Sequence, residues 1–146
     1  MRSDAPDLRR RTLLLALALL PLPVRSEGLV VAVNASTGIS GMDAREVRKL
    51  FLGKSRRLSD GSTAVLARYS PLDSAFNRHS LGRSDAQVGA AWSRLRFSGR
   101  SLPPEELSSL AALIDWLGGT PNAVAYLPAS ALEGNASVRV AHAIGD

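Results

Sequence analysis

The sequence predicts an α/β domain with a central mixed sheet of about four strands and helices on both faces, and three observations carry that expectation. The first is the run Leu29-Val30-Val31-Ala32-Val33, rich in β-branched residues and ended by Asn34. Continuous rather than alternating apolarity marks a strand covered on both faces, central in its sheet. The second is a pair of capping-box signatures, Asp43 with Glu46 and Ser84 with Gln87, each opening a stretch of helical apolar spacing. The third is the order β-α-β-α-α-α-β-β, in which helical crossovers separate strands.

After the first strand comes the polar loop Ala35 to Gly41, then a helix opened by Asp43 with Val47, Leu50 and Phe51 on one face. Gly53 ends it as a left-handed cap. Ser59-Asp60-Gly61-Ser62 is a turn, and Thr63 to Tyr69 is the second strand. Ser70 caps and Pro71 starts a helix to about Ser80 that turns Leu72, Ala75, Phe76 and His79 to one side. A further helix from Asp85 to Leu95 places Val88, Ala91, Trp92 and Leu95 inward. Pro103-Pro104-Glu105-Glu106 opens a fourth helix, with Leu107, Leu110, Ile114 and Leu117 as its stripe, and Gly118-Gly119 stops it. The strands Ala123 to Leu127 and Ser137 to Ala143 complete the chain.

The first stretch stands apart. Arg9-Arg10-Arg11 precede an apolar run from Thr12 to Leu20 that Pro21 and Pro23 break, and Val24-Arg25-Ser26 suits a cleavage site. Residues 1–26 are therefore expected to be a secretory signal peptide, by the general or the twin-arginine route, and residues 27–146 a single domain. A membrane-spanning helix needs about 20 apolar residues, more than this run offers. With no cysteine there is no lipobox, no disulfide and no thiolate chemistry, so a soluble periplasmic protein rather than a lipoprotein is expected. Of the 18 Lys and Arg, five lie in the leader, as do two of the 13 acids, which leaves the rest at +2. That small excess argues against a nucleic-acid partner, despite the high overall isoelectric point.

Three stretches carry more specific information: Phe51-Leu52-Gly53-Lys54; Arg68-Tyr69-Ser70-Pro71 with Phe76 behind it; and Pro121-Asn122-Ala123-Val124-Ala125-Tyr126. In this order they resemble the second lobe of the phosphate-type (type 2) periplasmic substrate-binding proteins of ABC transporters. Those proteins carry (I/F)-x-G-K at a helix end, R…S-G-T…F at an anion loop and P-G-A-I-G-Y in a strand. The resemblance runs from Leu29 to Val140 and covers one lobe where the family has two. It implies a single lobe of the type 2 periplasmic-binding-protein fold, with phosphate or another oxyanion as ligand. Asn122 stands where the family has a turn glycine, a position of positive φ that Asn tolerates.

The residues themselves support anion chemistry in two loops that follow strands. A helix N-terminus offers unpaired N–H groups and partial positive charge. At the first turn after the second strand, Ser70 can donate its hydroxyl, the amides of Leu72 and Asp73 can face an oxyanion, and Arg68 can supply a bidentate guanidinium. Ser70-Pro71-Leu72 departs from Ser-Gly-Thr by losing one backbone donor and one hydroxyl, and Asp73 adds a negative charge. The loop after the first strand offers Ser36 and Thr37 beside Gly38. Read blandly, Ser70 is a cap, Arg68 a solvated strand end, and Ser36 and Thr37 plain loop residues.

Other candidates are weaker. His79 and His142 have no metal-ligand spacing and no neighbouring nucleophile, so no metal, cofactor or enzymatic activity is expected. Lys54, Arg56 and Arg57 form a basic cluster that suits a solvated face or an acidic partner. Two functions stay open. One is a secreted solute-binding-like module whose oxyanion binding is weak or vestigial, because one lobe leaves half of a ligand facing water. The other is an adaptor that binds no solute and docks a membrane transporter or another envelope protein. A homodimer would rebuild a cleft from two copies.

Overall fold

The computed structural model describes residues 28–145; the expected signal peptide lies outside them. Its five-stranded mixed sheet runs in the order β3-β2-β4-β1-β5. The strands are β1 (Leu29–Asn34), β2 (Val65–Arg68), β3 (Glu105–Glu106), β4 (Ala123–Pro128) and β5 (Val138–Ala143). β1 pairs antiparallel with β4 and β5, whereas β2 pairs parallel with β4 and β3.

β1 takes the central place its apolar run demands, with Val31, Ala32 and Val33 fully buried. Alternate residues serve opposite cores. Val31, Val33, Val124 and Tyr126 face the helix α1 (Ala44–Phe51), while Val30, Ala32, Ala125 and Leu127 face α4 (Leu110–Gly119). Helices thus cover both faces, as expected.

The local signals hold where they are chemical. Asp43 and Glu46 exchange capping bonds at 2.8 Å, as do Ser84 and Gln87 at 3.2 and 2.9 Å, opening α1 and α3 (Asp85–Phe97). Gly53 has φ +71°, with its N–H on the Leu50 carbonyl and that of Lys54 on Lys49, the paired bonds of a Schellman end. Asn122 takes φ +59°.

Three expectations are corrected. The sheet has five strands rather than about four, because Glu105–Glu106 is not the first turn of a helix: it lies beside Ala67 and Arg68 as the parallel edge strand β3. Pro103-Pro104 favours extended backbone there, and α4 starts only at Leu110, capped by Ser109, whose Oγ accepts from the Ala112 amide at 3.0 Å. Ser70 is not a cap. The Leu72 amide bonds the Tyr69 carbonyl at 3.0 Å, which closes a 3-10 turn (Ser70–Leu72) around Ser70 and makes Tyr69 the capping position. The helix that follows, α2 (Asp73–Phe76), widens into a π turn (Asn77–Leu81). Its longer repeat carries Asn77 and Leu81 inward and leaves His79 exposed, against the straight helical spacing predicted.

Candidate ligand site

A cavity of about 400 Å³ opens between the carboxyl end of β2, α2 and α3, a volume within the range of small-molecule sites. Its floor is aromatic. Phe76 stacks on Tyr126 with centroids 3.7 Å apart and planes 7° from parallel, and Phe51 meets both rings edge-on at 5.0 and 5.3 Å. The three residues come from α2, β4 and α1, and each belongs to one of the three sequence motifs.

The polar rim is built around Asp73. Its carboxylate accepts from the Arg68 guanidinium and, at 2.5 Å, from the Tyr126 hydroxyl. Arg68 also lies 3.5 Å from Glu106, which the parallel register of β3 sets beside it. Burial, and then the Asp73 carboxylate, push the Tyr126 phenol well above its ordinary value, so it stays a donor. A second knot lies across the rim. Asp85 accepts from Ser74 Oγ at 2.5 Å and from Asn77 Nδ2 at 2.9 Å, tying α2 to the first turn of α3.

Those two bonds, Ser74 first, hold the Asp85 carboxyl below its ordinary value. With the folded-state value depressed, this stabilisation is complete above the ordinary aspartate value of about 3.9 and is lost as pH falls through the lower folded value. Asp85→Asn is therefore expected to flatten the acid limb of the stability curve below about pH 4, read from urea unfolding at a series of pH values. An acid limb that superimposes on that of the parent would refute the assignment.

The predicted site residues divide into two groups. Arg68, Ser70 and Asp73 line the cavity together, and Leu72 packs beneath them between the two cores. The amides of Leu72 and Asp73, however, are engaged by the carbonyls of Tyr69 and Ser70. Ser36 and Thr37 are elsewhere. β1 is antiparallel to β4 whereas β2 is parallel to it, so the loops after β1 and β2 leave the sheet at opposite ends. No one ligand of this cavity reaches both.

The Ser36 loop has a structural logic of its own. Buried Asn34 accepts from the Ser36 amide and hydroxyl at 2.9 and 2.6 Å, and donates to the Leu117 carbonyl at 2.8 Å. Arg139 donates to the Thr37 and Ile39 carbonyls, while Thr37 Oγ1 is buried without a partner. Glu106, Asn77, Asp85 and Arg96, which build or line the rim, lie outside the three sequence motifs. Only the placement of Asp85 just after a capping serine gave a signal for any of them. Among the described residues no group of three or more His, Cys, Asp or Glu side chains is placed to hold a metal.

Neither a protein-family model nor a curated protein matches this chain. Solved structures do. The chain is similar to a protein from Clostridium perfringens assigned as a phosphate ABC transporter substrate-binding protein, solved with bound phosphate, with TM-score 0.61 and 12% identity over 78% of this chain and 44% of that one. It is also similar to an ABC-type phosphate transport receptor from Vibrio cholerae, with TM-score 0.51 and 12% identity over 78% of this chain and 45% of that one. The chain thus spans less than half the length of either neighbour. At this identity the likeness establishes the fold: one lobe of the periplasmic-binding-protein type, as the three motifs implied.

Proposed function

We propose that the chain is a secreted, periplasmic solute-binding-like module whose Arg68-Ser70-Asp73 rim meets phosphate or a related oxyanion only weakly, as a vestige of a two-lobed site. The observation that carries this reading is the Arg68–Asp73 pair. Arg68 stands at the carboxyl end of β2, where two carboxylates already hold it, and the second guanidinium lining the cavity, Arg96, comes from α3. An incoming anion would have to compete with Asp73 for Arg68 while standing beside a negative charge, and the nearest amides are spent within the turn. The fold supports the class of protein, and the chemistry of the rim supports weakness.

The reading is tested by titrating the purified protein calorimetrically with phosphate and sulfate. Asp73→Asn keeps a hydrogen-bond acceptor for Tyr126 and releases Arg68, so it is expected to tighten phosphate binding roughly tenfold relative to the parent. Arg68→Gln is expected to abolish the response in both backgrounds. Unchanged affinity in both variants would overturn the assignment of the rim. The engaged amides of Leu72 and Asp73 also favour a second reading, an adaptor that binds no solute and docks a transporter or envelope protein through its surface.

A further inference from the structure

On the far side of α3 from the cavity, a groove of about 600 Å³ runs between that helix and the end of α1. Four cations line it, Lys54, Arg56, Arg94 and Arg100, and no acid does. They come from the segment after α1, from α3 and from the turn beyond it, so the cluster is assembled by the fold. Among the described residues, the ion pairs are those of Arg68; none of these four has an acidic partner. The helix ends at the groove contribute together about one negative charge, too little to balance four full cations.

The groove is also held in shape. Trp92 Nε1 donates to the Phe51 carbonyl at 3.0 Å, locking α3 against α1. Arg56 is fixed at one end, donating from Nε to Ser101 Oγ at 2.9 Å and from Nη2 to the Leu102 carbonyl at 3.2 Å. Between the cations lie aliphatic side chains, Leu52, Ala91 and Leu95, together with Ser55 and Ser101, and Leu102 stands 69% exposed beside them.

We infer that this groove is a docking site for an acidic, leucine- or alanine-containing segment of a partner protein. Guanidinium groups pair carboxylates with two parallel hydrogen bonds, and the aliphatic floor takes up apolar side chains between them. The absence of an aromatic side chain from the lining argues against single-stranded nucleic acid, which binds by base stacking. This inference deepens the adaptor reading and uses none of the rim residues, so its failure leaves the oxyanion reading standing, and the reverse holds too.

The test uses the purified protein and a fluorescein-labelled peptide of alternating glutamate and leucine, followed by fluorescence anisotropy at low and moderate salt. Saturable binding that weakens with salt is expected. Arg94→Glu with Arg100→Glu changes two exposed residues, its fold is checked by circular dichroism, and it is expected to weaken binding at least roughly tenfold through like-charge juxtaposition. Arg78→Gln, at an exposed cation outside both the groove and the rim, is expected to leave it unchanged. Equal peptide binding by the parent and the double variant would overturn the inference. So would tighter binding to phosphatidylglycerol vesicles or to oligothymidylate than to the peptide, or no binding of the peptide at low salt.

Discussion

Replacing Phe76 by alanine is expected to lower the unfolding free energy by about 3–5 kcal/mol, the range for deleting a buried aromatic ring. Phe76 is 1% exposed and stacks on Tyr126 at 3.7 Å, with Phe51 edge-on at 5.0 Å. Its removal takes the central ring from a cluster that joins α1, α2 and β4, and opens a void beneath the cavity. The neighbours cannot close that void cheaply. Val31, Val33 and Val124 belong to the sheet, and Tyr126 is tied through its hydroxyl to Asp73. Domains of this size are stable by about 5–15 kcal/mol, so the loss would be a large fraction of the total. Urea unfolding followed by tryptophan fluorescence measures it, and a loss of about 1 kcal/mol or less would show that the stack is not a keystone of the fold.

The second large effect is expected at Gly53, where alanine should cost about 2–3 kcal/mol from two separable causes. One is backbone: φ is +71°, a region that costs a residue with a Cβ about 1 kcal/mol or more. The other is packing. A Cβ at Gly53 would fall well inside the van der Waals contact of Leu95 Cδ1 and 3.1 Å from the Trp92 ring. Leu95 ends in a flexible side chain and can turn away. Trp92 is held by its bond to the Phe51 carbonyl and cannot. Gly61 provides the control, because it has φ +87° with no atom within 4 Å of an added Cβ. Gly61→Ala therefore meets only the backbone cost. Equal losses of thermal stability in the two variants would show that the approach of α3 to the end of α1 contributes nothing.

The contrast between these glycines shows what is legible before folding. Both sit in turn-like sequence, and a left-handed conformation is readable at either. That one of them is pressed against a tryptophan more than thirty residues away is not. The capping pairs Asp43/Glu46 and Ser84/Gln87 were equally readable, because each satisfies backbone donors within a single turn. Pro103-Pro104-Glu105-Glu106 misled for the same reason. Locally it is a good helix start, but pairing with the free edge of β2 satisfies the backbone there, and that edge is distant in sequence.

The candidate site divides along the same line. Arg68, Ser70 and Asp73 were found together because they are neighbours on one turn. Glu106, Asn77 and Asp85, which neutralise or brace that turn, arrive from β3, the π turn and α3. The grouping of Ser36 and Thr37 with Arg68 depended on strand direction, which no local pattern encodes.

By itself the sequence determined the class of this protein: a buried central strand, capped helices on two faces, and three ordered motifs that imply one lobe of a binding-protein fold. Each of those is a property of hydrophobic burial or of hydrogen bonds within a turn, and so is written in consecutive residues. Only the tertiary structure decided that Asp73 and Glu106 hold Arg68, that the two serine-bearing loops lie at opposite ends of the sheet, and that four cations share one groove. Those outcomes depend on strand direction and register, which are set by the packing of the whole sheet rather than by any segment of it.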